Sequence, residues 1–346
     1  MYGIIELERL PIDVIIPEIP GLREEVAFDG TNFYSLQKQG NDVSAGTSHT
    51  LVLLDNKIYG CGDNNNKQLL NSEDEMVLTL RELPLGELQE KAIVSVKAGN
   101  GFSLALTSDG KVFGWGGTLL QPTQLNDLEV NQIDCGYSHV IAKNSFGNIF
   151  VWKIGEAPTE IPGYLATKVY SKGNRFGIVD VAGDLHIWNW IEDGAEYSRE
   201  FSGIQGGIKH AALGLDKLVY GNSEELFVFD FSQTVLYQVN PGDPITSITC
   251  GNNFYLVSLQ QRIKANGTNN NGKLGSGDEE DFVTSYDEFV DVLIGDITPI
   301  VISSGLEHTI VLDSNNRIYT WGSGDSGRLG TGDTDDRNAP IEIFIQ

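Results

Sequence analysis

The sequence predicts an all-β protein, a seven-bladed β-propeller, and three observations support this. A glycine followed by a strand, a polar turn and a second strand recurs seven times within residues 42–346. Apolar residues alternate with a period of two in these strands, and no helical pattern lies between them. A unit this short cannot bury its own faces, so neighbouring units must pack against it. Radial packing of such units gives a propeller, which also protects the sheet edges.

Seven glycines, here called the anchor glycines, mark the repeats. They are Gly46, Gly99, Gly136, Gly173, Gly214, Gly251 and Gly305. Their mean spacing is about 43 residues, typical of propeller blades. The position five residues after each anchor is aliphatic in all seven repeats, which predicts a common core position.

The second strand of several repeats carries a tryptophan at one equivalent position. Residues 115, 152, 188 and 321 are tryptophans there, and Cys61 fills the same position in the first repeat. Cys135 and Cys250 occupy a position just before an anchor that favours small buried residues. We therefore expect these tryptophans to be packing residues and the three cysteines to be inert core thiols.

Composition restricts the classes of partner. Forty-eight Asp and Glu residues against 23 Lys and Arg give a formal net charge of −25. Such a chain repels phosphates and anionic lipid, so we expect neither direct nucleic-acid binding nor membrane binding. The three cysteines show no CxxC pairing, and the start of the chain carries Glu6, Glu8 and Asp13 where a secretion signal would be apolar. These features favour a reducing compartment, the cytoplasm or the nucleus.

Two segments carry a family resemblance. One reads Ser304-Gly-Leu-Glu-His-Thr-Ile-Val-Leu312, followed by Ile318-Tyr-Thr-Trp-Gly-Ser-Gly-Asp-Ser-Gly-Arg-Leu-Gly-Thr-Gly332, and the other reads Ala45-Gly-Thr-Ser-His-Thr-Leu-Val-Leu53. Both resemble the repeat of the regulator of chromosome condensation family, and the resemblance extends over residues 42–344. It implies a seven-bladed propeller of that type. It does not imply one function, because propellers of this kind serve many partners.

The domain prediction divides the chain at residue 41. Residues 42–346 form the propeller, and residues 1–41 form an N-terminal extension with a strand hairpin around Asp29-Gly30. Residues 340–344 are predicted to be an outer strand. We expect strands from both ends of the chain to close the ring, because end blades otherwise lack neighbours.

Several motifs resemble chemical sites but have a structural interpretation. Residues 322–327 fit GxGxxG and residues 267–273 fit GxxxxGK, yet no helix pattern follows either, and Leu274 replaces the magnesium-binding Ser or Thr. His49, His139 and His308 each lie three residues after an anchor, so we expect them on separate blades, hydrogen-bonded inside the blade. The sequence therefore predicts no catalytic residue, no cofactor and no metal site.

The repeats differ in a way that suggests a binding surface. Residues 62–70, 267–277 and 322–332 form polar arms after the second strand in blades 1, 6 and 7, whereas blades 2 to 5 have lost them. Blades 6, 7 and 1 are contiguous in a closed ring, so the acidic runs after the arms predict one acidic arc. The predicted partner-binding residues, including three interleaved aromatics, are Glu73, Asp74, Glu75, Asp278, Glu279, Glu280, Asp281, Phe282, Tyr286, Phe289, Asp333, Asp335 and Asp336.

The favoured function is a non-enzymatic intracellular protein-interaction scaffold, monomeric or in a hetero-complex, whose partner has a basic surface. One alternative implied by the resemblance is a guanine-nucleotide exchange factor or regulator of a Ran-type small GTPase. A further alternative is an accessory role in Elongator tRNA modification and diphthamide synthesis, because Tyr59-Gly-Cys-Gly-Asp-Asn64 is similar to the alpha-tubulin suppressor branch. The tryptophans lack the Gly-Trp-Arg-His pattern of the plant ultraviolet photoreceptors.

Overall fold

The computed structural model describes residues 4–6, 25–28, 33–36, 40–70, 74–191, 196–204, 207–233 and 235–346. Its first three strands, β1 (Ile4–Glu6), β2 (Glu25–Phe28) and β3 (Phe33–Leu36), form a sheet of order β1-β3-β2. Strands β2 and β3 pair antiparallel, with Phe28 opposite Phe33. Asp29 and Gly30, on which the hairpin prediction rests, lie outside the described residues.

Twenty-eight further strands form seven four-stranded antiparallel sheets, each built from four consecutive strands. Blades 1 to 4 consist of β4–β7 (Asp42–Ala45, His49–Leu54, Lys57–Asp63, Met76–Glu82), β8–β11 (Ile93–Ala98, Phe102–Thr107, Val112–Gly116, Leu119–Gln124), β12–β15 (Gln132–Cys135, His139–Lys143, Ile149–Lys153, Thr159–Ile161) and β16–β19 (Ala166–Lys172, Arg175–Asp180, Leu185–Ile191, Glu196–Ile204).

Blades 5 to 7 consist of β20–β23 (His210–Leu213, Lys217–Gly221, Leu226–Asp230, Val235–Val239), β24–β27 (Ser247–Cys250, Phe254–Ser258, Ile263–Gly267, Val290–Asp291) and β28–β31 (Pro299–Ser304, His308–Asp313, Ile318–Gly322, Arg337–Ile343). In the described part of the chain, short 3-10 helices at Gly86–Glu90, Asn270–Gly272 and Asp325–Gly327 lie in connections. The seven-bladed propeller predicted from the repeats is confirmed.

The ring closes where blade 7 meets blade 1. The innermost strands contact one another in sequence, and β28 lies against β4. The C-terminal strand β31 is the outer strand of blade 7, as predicted for residues 340–344. The N-terminal strands differ from the prediction, since β1 to β3 pair with one another and each blade takes its four strands from one continuous segment.

Seven buried apolar clusters lie at the seven interfaces between neighbouring blades. The position five residues after each anchor is completely buried in every blade, as the repeat predicts. Its residues are Leu51, Leu104, Ile141, Ile178, Val219, Leu256 and Ile310. The second strand of a blade is covered on both faces, and β9 is buried along its whole length. Burial of this apolar surface between blades provides the main favourable term for folding.

Close packing around the loop after the first strand of each blade explains the anchor glycines. A Cβ added to Gly136 would lie 2.3 Å from the carbonyl oxygen of Gly173, and one added to Gly305 would lie 2.4 Å from that of Gly46. The backbone N–H of Tyr137 donates to the Gly173 carbonyl at 2.7 Å. A side chain at Gly46, Gly136, Gly214 or Gly305 would collide with the backbone of the next blade, whereas one at Gly99 or Gly251 would collide with the ring of Phe102 or Phe254 in the same blade.

The innermost strands surround a central cavity of about 200 Å³. Hydroxyl groups on these strands accept backbone N–H donors of the next blade: Ser44 Oγ from Ala98 at 2.9 Å, and Thr249 Oγ1 from Ser304 at 2.8 Å. Lys172 also lines the cavity and donates to the Ser304 carbonyl. Burial lowers the pKa of Lys172 to about 8, and the nearby Asp134 carboxylate opposes that shift.

Candidate interaction surface on the arm-bearing face

The strand order places the arms and the anchor glycines on one face of the disc. Successive strands of a blade are antiparallel, so the connections after the first and third strands lie on one face and those after the second strand on the other. The anchors follow the first strand and the arms follow the third. We call this the arm face, and the opposite one the turn face.

Each arm packs on the next blade around the ring. In the arm of blade 1, the Gln68 carbonyl accepts the indole N–H of Trp115 at 2.8 Å and the Ser103 hydroxyl at 2.7 Å. In the arm of blade 6, the Lys273 carbonyl accepts the indole N–H of Trp321 at 3.1 Å. The tryptophans therefore hold the arms in place while their rings fill the core.

The arm of blade 7 makes the same kind of contact across the ring closure. Its Arg328 carbonyl accepts the Thr50 hydroxyl of blade 1 at 2.8 Å and the Cys61 thiol at 3.5 Å. All three cysteines are buried and free, as predicted. Burial raises the pKa of Cys61 to about 12, which keeps its thiol protonated and inert. Tyr59 and Cys61 of β6 are buried in the core between blades 7 and 1, so these two residues of the alpha-tubulin-suppressor-like stretch serve the packing of the ring.

The three histidines that lie three residues after an anchor link neighbouring blades instead of hydrogen-bonding inside one blade, which corrects the sequence prediction. His49 Nε2 lies 3.0 Å from Ser103 Oγ in blade 2, and His308 Nε2 lies 2.9 Å from Thr50 Oγ1 in blade 1. His139 Nε2 lies 2.9 Å from Ser171 Oγ in blade 4. Each partner comes from the next blade because the loop after the first strand leans towards it.

The two nucleotide-like motifs lie in the arms of blades 6 and 7 and pack against neighbouring protein groups. Lys273 of the GxxxxGK match is 1% exposed, and its amine donates to Glu307 Oε2 at 2.7 Å and to the Asn252 carbonyl at 3.0 Å. The GxGxxG match ends in the single 3-10 turn Asp325–Gly327, which packs on blade 1. Both motifs therefore lie in arms, and the amine of Lys273 already donates hydrogen bonds to protein acceptors.

Carboxylates of blades 6 and 7 converge on one cleft of the arm face. This cleft, of about 600 Å³, is lined by Asn270, Asn271, Gly272, Asp278, Glu279, Asp281, Asp336 and Asn338. Asp336 Oδ2 accepts the Asn271 amide at 2.8 Å, which joins the two blades. The acidic runs of blades 6 and 7, far apart in sequence, are therefore neighbours in space.

The carboxylates of the predicted arc differ in how far protein groups already engage them. Asp333 forms an ion pair with Arg337 at 2.7 Å, and Asp74 forms one with Arg81 at 3.2 Å. Glu279, Glu280 and Asp281 are exposed, and none forms an ion pair within the described part of the chain. Asp335 and Glu75 are also exposed, whereas Glu73 lies outside the described residues.

The three predicted interface aromatics serve the fold instead of forming a free aromatic surface. Tyr286 stacks on Tyr237 with ring centroids 3.7 Å apart, and its hydroxyl donates to Asp230 Oδ2 at 2.6 Å. Phe289 packs edge-on against Tyr255, and Phe282 packs half-buried against the core between blades 6 and 7. The exposed large apolar side chain in this segment is that of Val283, at 71%.

Sequence reasoning missed the neutral residues of the cleft. Asn270, Asn271 and Asn338 contribute amides beside the carboxylates, but they come from two blades and 68 positions separate the outer pair. Their only sequence signal was that the first two lie in an arm. Within the described ranges, no group of three or more His, Cys, Asp or Glu residues could hold a metal ion.

Comparisons with known proteins agree with this geometry. Profiles described as regulator of chromosome condensation (RCC1) repeats match residues 41–68, 93–117, 300–328 and 315–345, which are blades 1, 2 and 7. Blades 1, 2 and 7 of the chain therefore match RCC1 repeats. The RCC1-like match is densest where blade 7 meets blade 1, the junction that the arm of blade 7 spans.

Two relatives of this RCC1-like protein align with most of its chain. The ultraviolet-B receptor UVR8 of Arabidopsis thaliana is 26% identical, covering 87% of this chain and 69% of its own length. The regulator of chromosome condensation of Drosophila melanogaster is 25% identical, covering 87% of this chain and 57% of its own length. The RCC1-like chain thus spans little more than half of the Drosophila relative.

A solved structure shares the fold of the RCC1-like chain. A chain in the crystal structure of the mitotic checkpoint complex superposes with a TM-score of 0.54 at 12% identity, over 91% of this chain and 99% of that chain. At this identity the likeness is one of fold alone. No helix among the described residues has the length and apolar character needed to cross a membrane.

Proposed function

We propose that the protein is a non-catalytic scaffold of the cytoplasm or nucleus, monomeric or in a hetero-complex, that binds a protein with a basic surface through the acidic arc of blades 6, 7 and 1. The observation that carries this proposal is the cleft in which Asp278, Glu279, Asp281 and Asp336 converge. Exposed carboxylates without ion-pair partners attract cations, and a net charge of −25 strengthens that attraction over longer distances.

The cleft also supports specificity. Its asparagine amides lie beside the carboxylates, so an incoming arginine or lysine would find both charge and neutral acceptors. The arm of blade 6, which forms one side of the cleft, is fixed by the buried Trp321 and Lys273, so this side of the surface is preorganised. A preorganised surface loses less conformational entropy on binding.

A second candidate function is guanine-nucleotide exchange on a Ran-type small GTPase. The 25% identity to the Drosophila regulator of chromosome condensation favours it. Exchange would proceed by remodelling the GTPase rather than by bond chemistry on propeller side chains. A nucleotide-release assay with a panel of small GTPases separates the two functions, because a pure scaffold leaves release rates unchanged.

The scaffold function is tested by reversing Asp278, Glu279, Glu280 and Asp281 to Lys. Affinity purification from the source cells, quantified by mass spectrometry, is expected to show a basic partner that binds the parent chain and is lost from the variant. A matched control reverses the exposed Glu87, Glu90, Glu156 and Glu160, which gives the same net charge with the cleft intact.

The partner is expected to remain bound to the control variant. Binding measured with the purified partner is expected to weaken as salt rises, because screening reduces attraction between exposed charges. If both variants lost the partner equally, binding would depend on net charge alone and not on the cleft. Equal retention by both would refute the acidic arc.

A further inference from the structure

Three exposed apolar side chains lie together on the turn face, opposite the arms. Phe146 is 81% exposed in the turn after the second strand of blade 3, and Val181 is 68% exposed in the same turn of blade 4. Leu165, in the connection between these blades, is 45% exposed. Single exposed apolar residues are ordinary, but a contiguous group indicates a contact surface.

Backbone contacts establish that the three are neighbours. The N–H of Val181 donates to the Leu165 carbonyl at 3.0 Å, and the N–H of Ala166 donates to the Gly147 carbonyl at 2.8 Å. A Cβ built on Gly147, the residue after Phe146, would lie 3.3 Å from the Leu165 Cβ. The apolar group therefore continues from the turn of blade 3 across the connection to the turn of blade 4.

Three lysines extend this surface towards blade 5. Lys168 donates to the backbone carbonyl of Lys209 at 2.6 Å, and Lys209 donates to Ser223 Oγ at 3.3 Å. Lys143 pairs in the sheet with Gln132, whose amide group hydrogen-bonds the Val169 backbone beside Lys168. We call Phe146, Leu165, Val181 and these three lysines the turn-face patch.

The lysines are unusual in this acidic chain. Among the described residues, none of the three forms an ion pair with a carboxylate, although acidic residues outnumber basic ones by about two to one. Asp180, which precedes Val181 in the turn of blade 4, is already engaged by His186 Nε2 at 2.8 Å and by two backbone N–H groups. Lys168 and Lys209 also contribute to the low pKa of His210, which burial primarily causes.

We infer that the turn-face patch is a docking site for a protein segment that carries both carboxylates and large apolar side chains. Phe146, Leu165 and Val181 supply apolar contact area, and Lys143, Lys168 and Lys209 supply the complementary charge. This site is separate from the acidic arc in both position and sign. A partner bound here would leave the arm face open, so the propeller could join an acidic and a basic protein.

The test uses the full chain as bait for a phage-displayed library of random short peptides. Enriched peptides are expected to combine Asp or Glu with Phe, Leu or Trp. Fluorescein-labelled synthetic copies are expected to bind in anisotropy titrations and to lose about tenfold in affinity for the Phe146→Ser, Val181→Ser double variant. Lys168→Glu is also expected to weaken peptide binding, and the loss of affinity is expected to be larger at low salt than at high salt.

Two controls make these results specific. Leu120→Ser removes a comparable apolar side chain, 75% exposed on the outer strand of blade 2, and is expected to leave peptide binding unchanged. Reversal of Asp278, Glu279, Glu280 and Asp281 to Lys is also expected to leave it unchanged, so failure of the proposed function and of this inference are distinguishable. Circular dichroism verifies that each variant is folded.

Three outcomes would overturn the inference. Enriched peptides that bind the double variant as tightly as the parent chain would place binding elsewhere. Self-association in sedimentation velocity that Phe146→Ser abolishes would identify a second copy as the occupant. Lysine-dependent binding to phosphatidylserine vesicles, with no enrichment of acidic peptides, would identify a lipid surface.

Discussion

At the scale of single residues, equivalent tryptophans have different hydrogen-bonding states. Trp115 and Trp321 donate to arm carbonyls of the preceding blade. Trp152, equally buried, has no acceptor for its indole N–H among the described residues. The reason is architectural, because blade 2 lacks the arm that would supply a carbonyl to blade 3. A buried donor without a partner costs free energy, so Trp152 contributes less than its burial indicates.

A pair of substitutions tests this difference. Trp115→Phe removes apolar volume and one hydrogen bond, whereas Trp152→Phe removes similar volume and an unpaired donor. We expect Trp115→Phe to lower the free energy of unfolding by roughly 1–2 kcal/mol more than Trp152→Phe does. Urea denaturation measures both, and Trp321→Phe is expected to behave like Trp115→Phe. Equal losses at positions 115 and 152 would contradict the role of the arm carbonyl.

The buried histidines predict a pH dependence of stability. Burial lowers the pKa of His49 to about 4 and that of His139 to about 3. In the unfolded chain a histidine titrates near 6.5. Because the folded pKa is lower, the unfolded state binds the proton first, and stability present above pH 6.5 is lost as the pH falls towards the folded values.

We expect His49→Gln to flatten this dependence. Glutamine can still hydrogen-bond Ser103 but does not titrate between pH 6.5 and 4. Each histidine contributes at most about 1.4 kcal/mol per pH unit to the slope of the unfolding free energy. Urea denaturation at a series of pH values measures the slope, and identical slopes for the variant and the parent would refute the assignment to His49.

At the scale of elements, the arms connect neighbouring blades. The arm of blade 6 places Gly272 against the outer strand of blade 7, where an added Cβ would lie 2.3 Å from the Cα of Asn338. Gly272 also has a φ of +69°, in the left-handed region. The arm can therefore pack only if this position has no side chain.

Two glycine substitutions separate packing from backbone strain. Gly295 has a similar φ of +74°, but a Cβ there would meet nothing within 4 Å. We expect Gly295→Ala to cost about 1 kcal/mol, from the left-handed conformation alone, and Gly272→Ala to cost at least about twice as much. Thermal or urea unfolding gives both values, and equal costs would show that the arm does not need this close contact.

At the scale of the whole molecule, the C-terminal strand belongs to a blade of the propeller, whereas the N-terminal strands do not. All four strands of every blade lie between residues 42 and 343, and Ile343 belongs to the core between blades 7 and 1. The N–H of Gln346 donates to the Leu80 carbonyl of blade 1 at 3.1 Å. The C-terminal strand thus completes blade 7, and the residues at its end hold blade 7 against blade 1.

Two truncations test the proposed boundary near residue 41. A chain that starts at Gly40 is expected to retain the β-sheet circular dichroism spectrum and a cooperative melt, because every blade keeps its four strands. A chain that ends at Asp336 loses β31, exposes the core of blades 7 and 1, and is expected to aggregate or to melt far below the parent. A melt of the second chain that matches the parent would contradict this account of ring closure.

The repeat pattern was sufficient to predict the seven-bladed propeller and its buried positions. Period-two alternation, glycine anchors and a regular spacing are local signals, and each blade repeats them. The pattern also located His49 but could not identify Ser103 as its partner, since the two lie in different blades. Likewise, Tyr286 beside an acidic run suggested an interface, whereas in the structure its ring and hydroxyl are used by Tyr237 and Asp230.

The chain's own order of residues determined the number of blades, their core positions and which blades keep arms, because those features depend on neighbours a few positions apart. Only the closed ring decided which carboxylates lie beside Asp336 in the cleft, and that the turns carrying Phe146 and Val181 both border the connection that carries Leu165. Both are contacts between blades. The physical reason is that side-chain distances across a blade interface depend on packing angle and loop direction, which no local pattern encodes.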